Sequence, residues 1–197
     1  MDKAYSVIAS APVQKGATFH RPTQELAQSV TLDDPALMVM TDFRAVTAHT
    51  IHPLESIEAA RLKMIHRGVR LLLVVDEQNQ ILGLITATDL TSEKPVQIIQ
   101  AQGIRHNDVL VKDIMTPREK LEALCMDDVV KAKVGDVVAT LQACGRQHAL
   151  VAERQSDRSQ IVRGLFSVSQ ISRQLGAPVQ TQEIARTFAE IGAELIR

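Results

Sequence analysis

Thr86 and Asp89 stand three positions apart in the stretch Gly83-Leu-Ile-Thr-Ala-Thr-Asp-Leu90. A carboxylate accepts several hydrogen bonds at once, which suits the vicinal hydroxyls of a ribose. A hydroxyl at a helix start, beside backbone N–H groups with no partner in the helix, suits a phosphate oxygen. On a first helical turn that spacing puts both side chains toward one cleft. Asp89 has a plainer reading too, as an early-helix acid favoured by the helix dipole, worth about a few tenths of a kcal/mol. The stretch returns as Gly164-Leu-Phe-Ser-Val-Ser-Gln-Ile171, with Ser167 for the hydroxyl and Gln170 for the acid. Gln170 both donates and accepts but carries no charge, a difference of about 1–2 kcal/mol. The second copy is therefore expected to be a weak or empty site, with Ser167 capping its helix.

Other reactive residues form no constellation. His49, Thr50 and His52 lack a third ligand at metal spacing, so a solvated loop is expected there. Cys125 and Cys144 belong to no CxxC pair and read as reduced thiols. Cys125 has no identifiable base, and no set of nucleophile, base and orienting group can be assembled. The expectation is a protein that is not an enzyme, with no catalytic residue and no metal.

The elements that must position Thr86 and Asp89 are duplicated. Gly83 and Gly164 are 81 positions apart, and HRGVRLLLVVDE (66–77) lies over ACGRQHALVAER (143–154) at an offset of 77. The extra four residues fall in ERQSDRSQ, a polar stretch suited to a hairpin. VMTDF (39–43) and IMTPR (114–118) face each other at an offset of 75. Leu54, Ile57, Ala60 and Met64 recur at helical spacing, as do Val134, Val137 and Leu141, and Pro53 suits the first turn of the earlier helix. Leu71–Val75 reads as a strand buried on both faces, Asp76–Gln80 as a turn, and Ile81–Ile85 as a second strand leading to a helix after Thr86. One such unit of about 60 residues is marginal alone, so two are expected to pack together with pseudo-twofold symmetry.

This order of elements, with GLITATDL at its last helix and VKDIMTP opening the second copy, resembles a tandem pair of CBS domains, a Bateman module. The resemblance spans about residues 36–176. It implies an α/β (α+β) fold of two β-α-β-β-α units, a first unit at 36–102 and a second at 103–176, preceded by an extension at 1–35. It also implies a sensor that holds an adenosine-containing ligand (AMP, ADP, ATP or S-adenosylmethionine) between its units and pairs into a homodimer. By the same resemblance, Thr41 and Val46 line the base pocket of the first site. Val69, Arg70 and Leu71 surround base and sugar, Thr86 and Asp89 carry the motif, and Gln147 and His148, with Arg146 nearby, meet phosphate. Thr116, Ser167 and Gln170 belong to the second, weaker site, where Arg70 takes the place equivalent to that of Gln147 and His148.

The bulk numbers agree with a sensor. The chain has 197 residues, a formal net charge of −1, 3% aromatics and no Trp. Nothing favours nucleic acid or an anionic membrane, and few rings exist for base stacking. No stretch nears the roughly 20 apolar residues of a membrane span, and the N-terminus is a poor signal peptide, so the cytoplasm is expected. The tail 177–197 reads as an amphipathic helix with Ile184, Phe188, Ile191 and Leu195 on one stripe, capped by Thr181. The rival to a sensor acting on an effector protein is a structural dimerisation or assembly module whose clefts bind nothing.

Overall fold

The computed structural model describes residues 14, 26–157 and 159–181. Most of the extension at 1–35 and the amphipathic tail from 182 onward lie outside the described residues. The first unit runs through strand β1 (Thr41–Asp42), β2 (Thr50–Ile51), helix α1 (Ile57–Arg67), β3 (Leu71–Val75), β4 (Ile81–Thr86), α2 (Ala87–Thr91) and α3 (Lys94–Gln102). The second runs through α4 (Val111–Ile114), β5 (Thr116–Pro117), β6 (Ala123–Cys125), α5 (Met126–Val129), α6 (Val134–Cys144), β7 (His148–Arg154), β8 (Gln160–Ser167) and α7 (Val168–Leu175).

Each element has a local cause. Ser56 Oγ accepts the Ala59 N–H at 3.1 Å and starts α1, while Gly68, at φ 64°, ends it in a left-handed turn. Pro53 therefore precedes the helix rather than filling its first turn, and Leu54, expected on its apolar stripe, is 58% exposed. Ile57, Ala60 and Met64 are buried, as are Val134, Val137 and Leu141 on α6. All five residues of β3 are buried, as its continuous apolar run requires. The duplication extends to a backbone irregularity. The β3–β4 hairpin shifts register between Val74 and Val75, and the β7–β8 hairpin does so between Val151 and Ala152, 77 positions on.

The sheets are not divided as the chain order is. One sheet runs β2-β3-β4-β5 and the other β1-β8-β7-β6, so each unit gives its leading strand to its neighbour. Thr41 pairs with Leu165, and Thr116 with Leu84. The two echoed glycines make this exchange possible. A Cβ on Gly83 would collide with the Thr116 carbonyl, and one on Gly164 with the Thr41 carbonyl. The segment ahead of β1 follows it: Val30, Ala36, Val39 and Met40 are buried in one core with Val137, Leu141, Phe166 and Ile171. Likewise Val109, Val111 and Ile114 lie in the core of the first unit with Ile57, Leu72 and Ile85. A third cluster, including Leu71, Leu73, Val75 and Leu150, fills the space between the sheets.

Charge fixes β1 in place. Arg163 Nε and Nη2 donate to the two carboxylate oxygens of Asp42 at 2.7 and 2.5 Å. Arg44 Nη2 donates to Glu153 at 2.8 Å, and Arg163 Nη1 reaches the same carboxylate at 3.4 Å. The Arg163 guanidinium holds the Asp42 carboxyl below its usual range.

Candidate functional sites

The exchange creates two related clefts. The first, about 320 Å³, has Thr86 and Asp89 on one side and Thr116 of β5 on another. Gly145 to His148, at the entry to β7, close it, and Leu84 and Leu150 provide apolar wall. The second, about 380 Å³, has Ser167 and Gln170 opposite Thr41 and Val46, with Val69, Arg70 and Leu71 at the entry to β3. The expected partition of residues is thereby corrected. Thr41, Val46, Val69 and Leu71 lie with Ser167 and Gln170, beside Arg70 at the place expected for it in the second cleft, and Thr116 lies with Thr86 and Asp89. The cause is the exchanged leading strands, which carry each Met-Thr pair into the neighbouring unit.

In the first cleft, Thr86 and Asp89 form a reciprocal cap at the start of α2. The Thr86 N–H and hydroxyl both donate to Asp89 Oδ2, at 2.9 and 2.7 Å, and the Asp89 N–H returns to Thr86 Oγ1 at 3.2 Å. Asp89 is buried at 9% exposure. Its other oxygen, Oδ1, accepts from Lys94 Nζ at 2.5 Å, and the same ammonium lies 3.4 Å from the Ile114 carbonyl. Both readings of Asp89 thus hold in part: it is an early-helix acid, and its carboxylate also lines a cleft. Lys94 was not anticipated. It sits five positions past Asp89, where a basic residue facing back on the acid is the only signal the sequence offers.

In the second cleft the amide of Gln170 is fully engaged. Thr41 Oγ1 donates to its Oε1 at 3.2 Å, and its Nε2 donates to the Val39 carbonyl at 3.1 Å. Val39 and Ile114 are equivalent positions of the two copies. Gln170 therefore does with one neutral side chain part of what Asp89 and Lys94 do with two charged ones: it holds the carbonyl of the incoming segment. Ser167 occupies the N-cap position of α7 but makes no capping hydrogen bond, and its hydroxyl pairs instead with Ser169 at 2.9 Å. The expected cap is absent because the Ser167 hydroxyl is turned to a neighbour two positions along the chain.

The two residues assigned to phosphate have different surroundings. Gln147 Nε2 donates to the buried Thr181 hydroxyl at 2.6 Å, so its amide ties down the chain after α7. His148 lines both clefts. Burial, reinforced by the Arg70 charge and opposed by Asp89, lowers its pKa to about 4. Near pH 7 it is a neutral imidazole, which meets a phosphate by donating an N–H rather than as a cation. The cations of the first cleft are Lys94, Lys120 and Arg146, of which Arg146 is paired with Glu122 at 2.9 Å. In the second they are Arg70 and Arg173.

His49 faces the second cleft, while His52 Nδ1 accepts the Leu54 N–H at 3.3 Å. Among the described residues no three His, Cys, Asp or Glu side chains are grouped to hold a metal ion. Nor, among them, is any helix long and apolar enough to cross a membrane.

The family model for the CBS domain matches residues 30–95. No curated protein matches the chain. Among solved structures, it is similar to an uncharacterized conserved protein from Pyrococcus horikoshii, with 20% identity over 77% of this chain and 99% of that one, at a TM-score of 0.51. CBSX2 of Arabidopsis thaliana in complex with AMP is 17% identical over 72% of this chain and 94% of its own, at 0.49. The CBS domain pair of protein MJ0100, in complex with 5′-methylthioadenosine and S-adenosyl-L-methionine, is 21% identical over 73% and 97%, also at 0.49. At such identities the likeness concerns the fold alone.

Proposed function

We propose that this chain is a tandem CBS-domain protein that acts as a regulatory sensor of an adenosine-containing nucleotide and performs no chemistry itself. The ligand occupies the first cleft, with the ribose diol on Asp89 and the base against the Leu84 and Leu150 wall. The observation that carries this reading is the buried Asp89 carboxylate. Thr86 orients it through Oδ2, and among the described residues Oδ1 is held only by Lys94, whose side chain is 47% exposed. A carboxylate fixed in this way is preorganised to accept hydroxyls without reordering its own helix. Occupancy would reach the neighbouring unit through β5, whose Thr116 lines the same cleft. We further propose a cytoplasmic homodimer that joins through the helices and acts on an effector protein, a pairing supported by Leu62 and Ile65 of α1, exposed at 41% and 59%.

The second reading is a structural dimerisation or assembly module with non-binding clefts. It is favoured by the closed hydrogen bonding of Gln170, and by the absence, among the described residues, of any buried side-chain polar atom lacking a partner. Thermal unfolding with AMP, ADP, ATP and S-adenosylmethionine separates the two. A saturable rise in Tm with one of them supports the sensor, because a ligand of the native state alone must stabilise it. Identical melting with all four supports assembly.

A further inference from the structure

The Lys94 ammonium occupies the carboxylate oxygen that a ribose would use. Asp89 Oδ2 is committed to Thr86, so a diol must approach Oδ1, where Lys94 Nζ sits at 2.5 Å. Among the described residues, the only other polar contact of that ammonium is the Ile114 carbonyl at 3.4 Å, long for a hydrogen bond. Lys94 opens α3 on a flexible four-carbon stem and is about half exposed, so its head can swing without disturbing the fold.

An uncharged nucleoside that takes Oδ1 leaves this ammonium with no anion. A nucleoside monophosphate brings one: the diol takes the carboxylate, the phosphate takes the ammonium, and one internal ion pair becomes two charge-assisted contacts with the ligand. The second copy has no such device, since Leu175 stands at the equivalent position.

We propose that Lys94 is the specificity-determining residue of the first cleft, selecting ribose phosphates over uncharged nucleosides by guarding Asp89 until an anion draws it away. The inference rests on the reading of Asp89 as a ribose acceptor. It is separable from the general attraction of Lys120, which lines the same cleft, because the ion pair with Asp89 belongs to Lys94.

Calorimetric titration of the full chain with AMP and with adenosine tests it, in the wild type, Lys94→Met, Lys94→Arg and Lys120→Met. The wild type is expected to prefer AMP by about tenfold or more, the scale of one charge-assisted contact. Lys94→Met should bring the two ligands to within about threefold, chiefly because adenosine binds more tightly once its competitor is gone. Lys94→Arg and Lys120→Met should keep the preference. An unchanged preference in Lys94→Met, or adenosine weakened as much as AMP, overturns the role of Lys94 and leaves the cleft reading standing. Failure of the wild type and every variant to bind AMP or adenosine overturns the role of Lys94, and failure with ADP, ATP and S-adenosylmethionine as well overturns both.

Discussion

Thr41 and Gln170 are 129 positions apart, and the Thr41 hydroxyl donates to the Gln170 amide oxygen at 3.2 Å. Together with the Gln170 bond to the Val39 carbonyl, this joins the first residues of one unit to the last helix of the other. The loss of a carboxylate in the second copy is therefore not mere decay of a binding motif. An aspartate at 170 could accept from Thr41, but could not donate to Val39.

Restoring the acid should accordingly cost stability without restoring a site. Gln170→Asp removes the donor to a buried carbonyl and is expected to destabilise by about 1–3 kcal/mol. Urea denaturation measures the loss. The variant should gain no affinity for adenosine compounds; a gain in affinity with unchanged stability would show that the amide is dispensable.

The glycines at 83 and 164 should resist substitution because another backbone lies against each. Alanine at either would force β5 or β1 outward, at a cost of about 1–3 kcal/mol as in other overpacked sites. Amide exchange locates the effect: Gly83→Ala should speed exchange at Thr116, and Gly164→Ala at Thr41 and Asp42. Protection unchanged in both would mean that the exchanged strands are held otherwise.

His148 makes stability depend on pH. Its folded pKa of about 4 lies below the usual 6.5, so the unfolded chain binds the extra proton first. Its contribution is present above pH 6.5 and is lost as pH falls toward 4, by up to about 3 kcal/mol. His49 is lowered in the same direction, by burial first and then by Arg67 and Lys63. Chemical denaturation at pH 7 and pH 5 should show a smaller acid loss in His148→Gln than in the wild type. An equal loss would assign the pH dependence elsewhere.

Much of the fold could be read locally. The stripe of Ile57, Ala60 and Met64, the continuous run Leu71–Val75, and the hairpin at Asp76–Gln80 each declare themselves within a dozen residues. The repeat added the second unit. The exchange of β1 and β5 left no periodic trace, because each is a two-residue strand whose pairing partner is far along the chain. Gly83 and Gly164 were visible as an echo, but what they make room for is not local. The same limit misplaced Thr41 and Thr116 between the clefts and hid Lys94, whose meaning depends on facing Asp89 across a turn. Ser167 failed as a cap because a hydroxyl can satisfy itself with a neighbour, and composition does not choose between the two.

The central claim is that Asp89 holds a nucleotide. Titration of AMP, ADP, ATP and S-adenosylmethionine into the wild type, Asp89→Asn and Asp89→Ala tests it most directly. Asparagine keeps an acceptor for the Thr86 cap but loses the ion pair with half-exposed Lys94, so its circular dichroism should stay near wild type while its melting temperature falls slightly. At least one ligand should bind the wild type and lose about tenfold or more in affinity in Asp89→Asn, the scale of a lost charge-assisted hydrogen bond. Binding of equal strength in the wild type and both variants would contradict the account, as would no binding to the wild type at all.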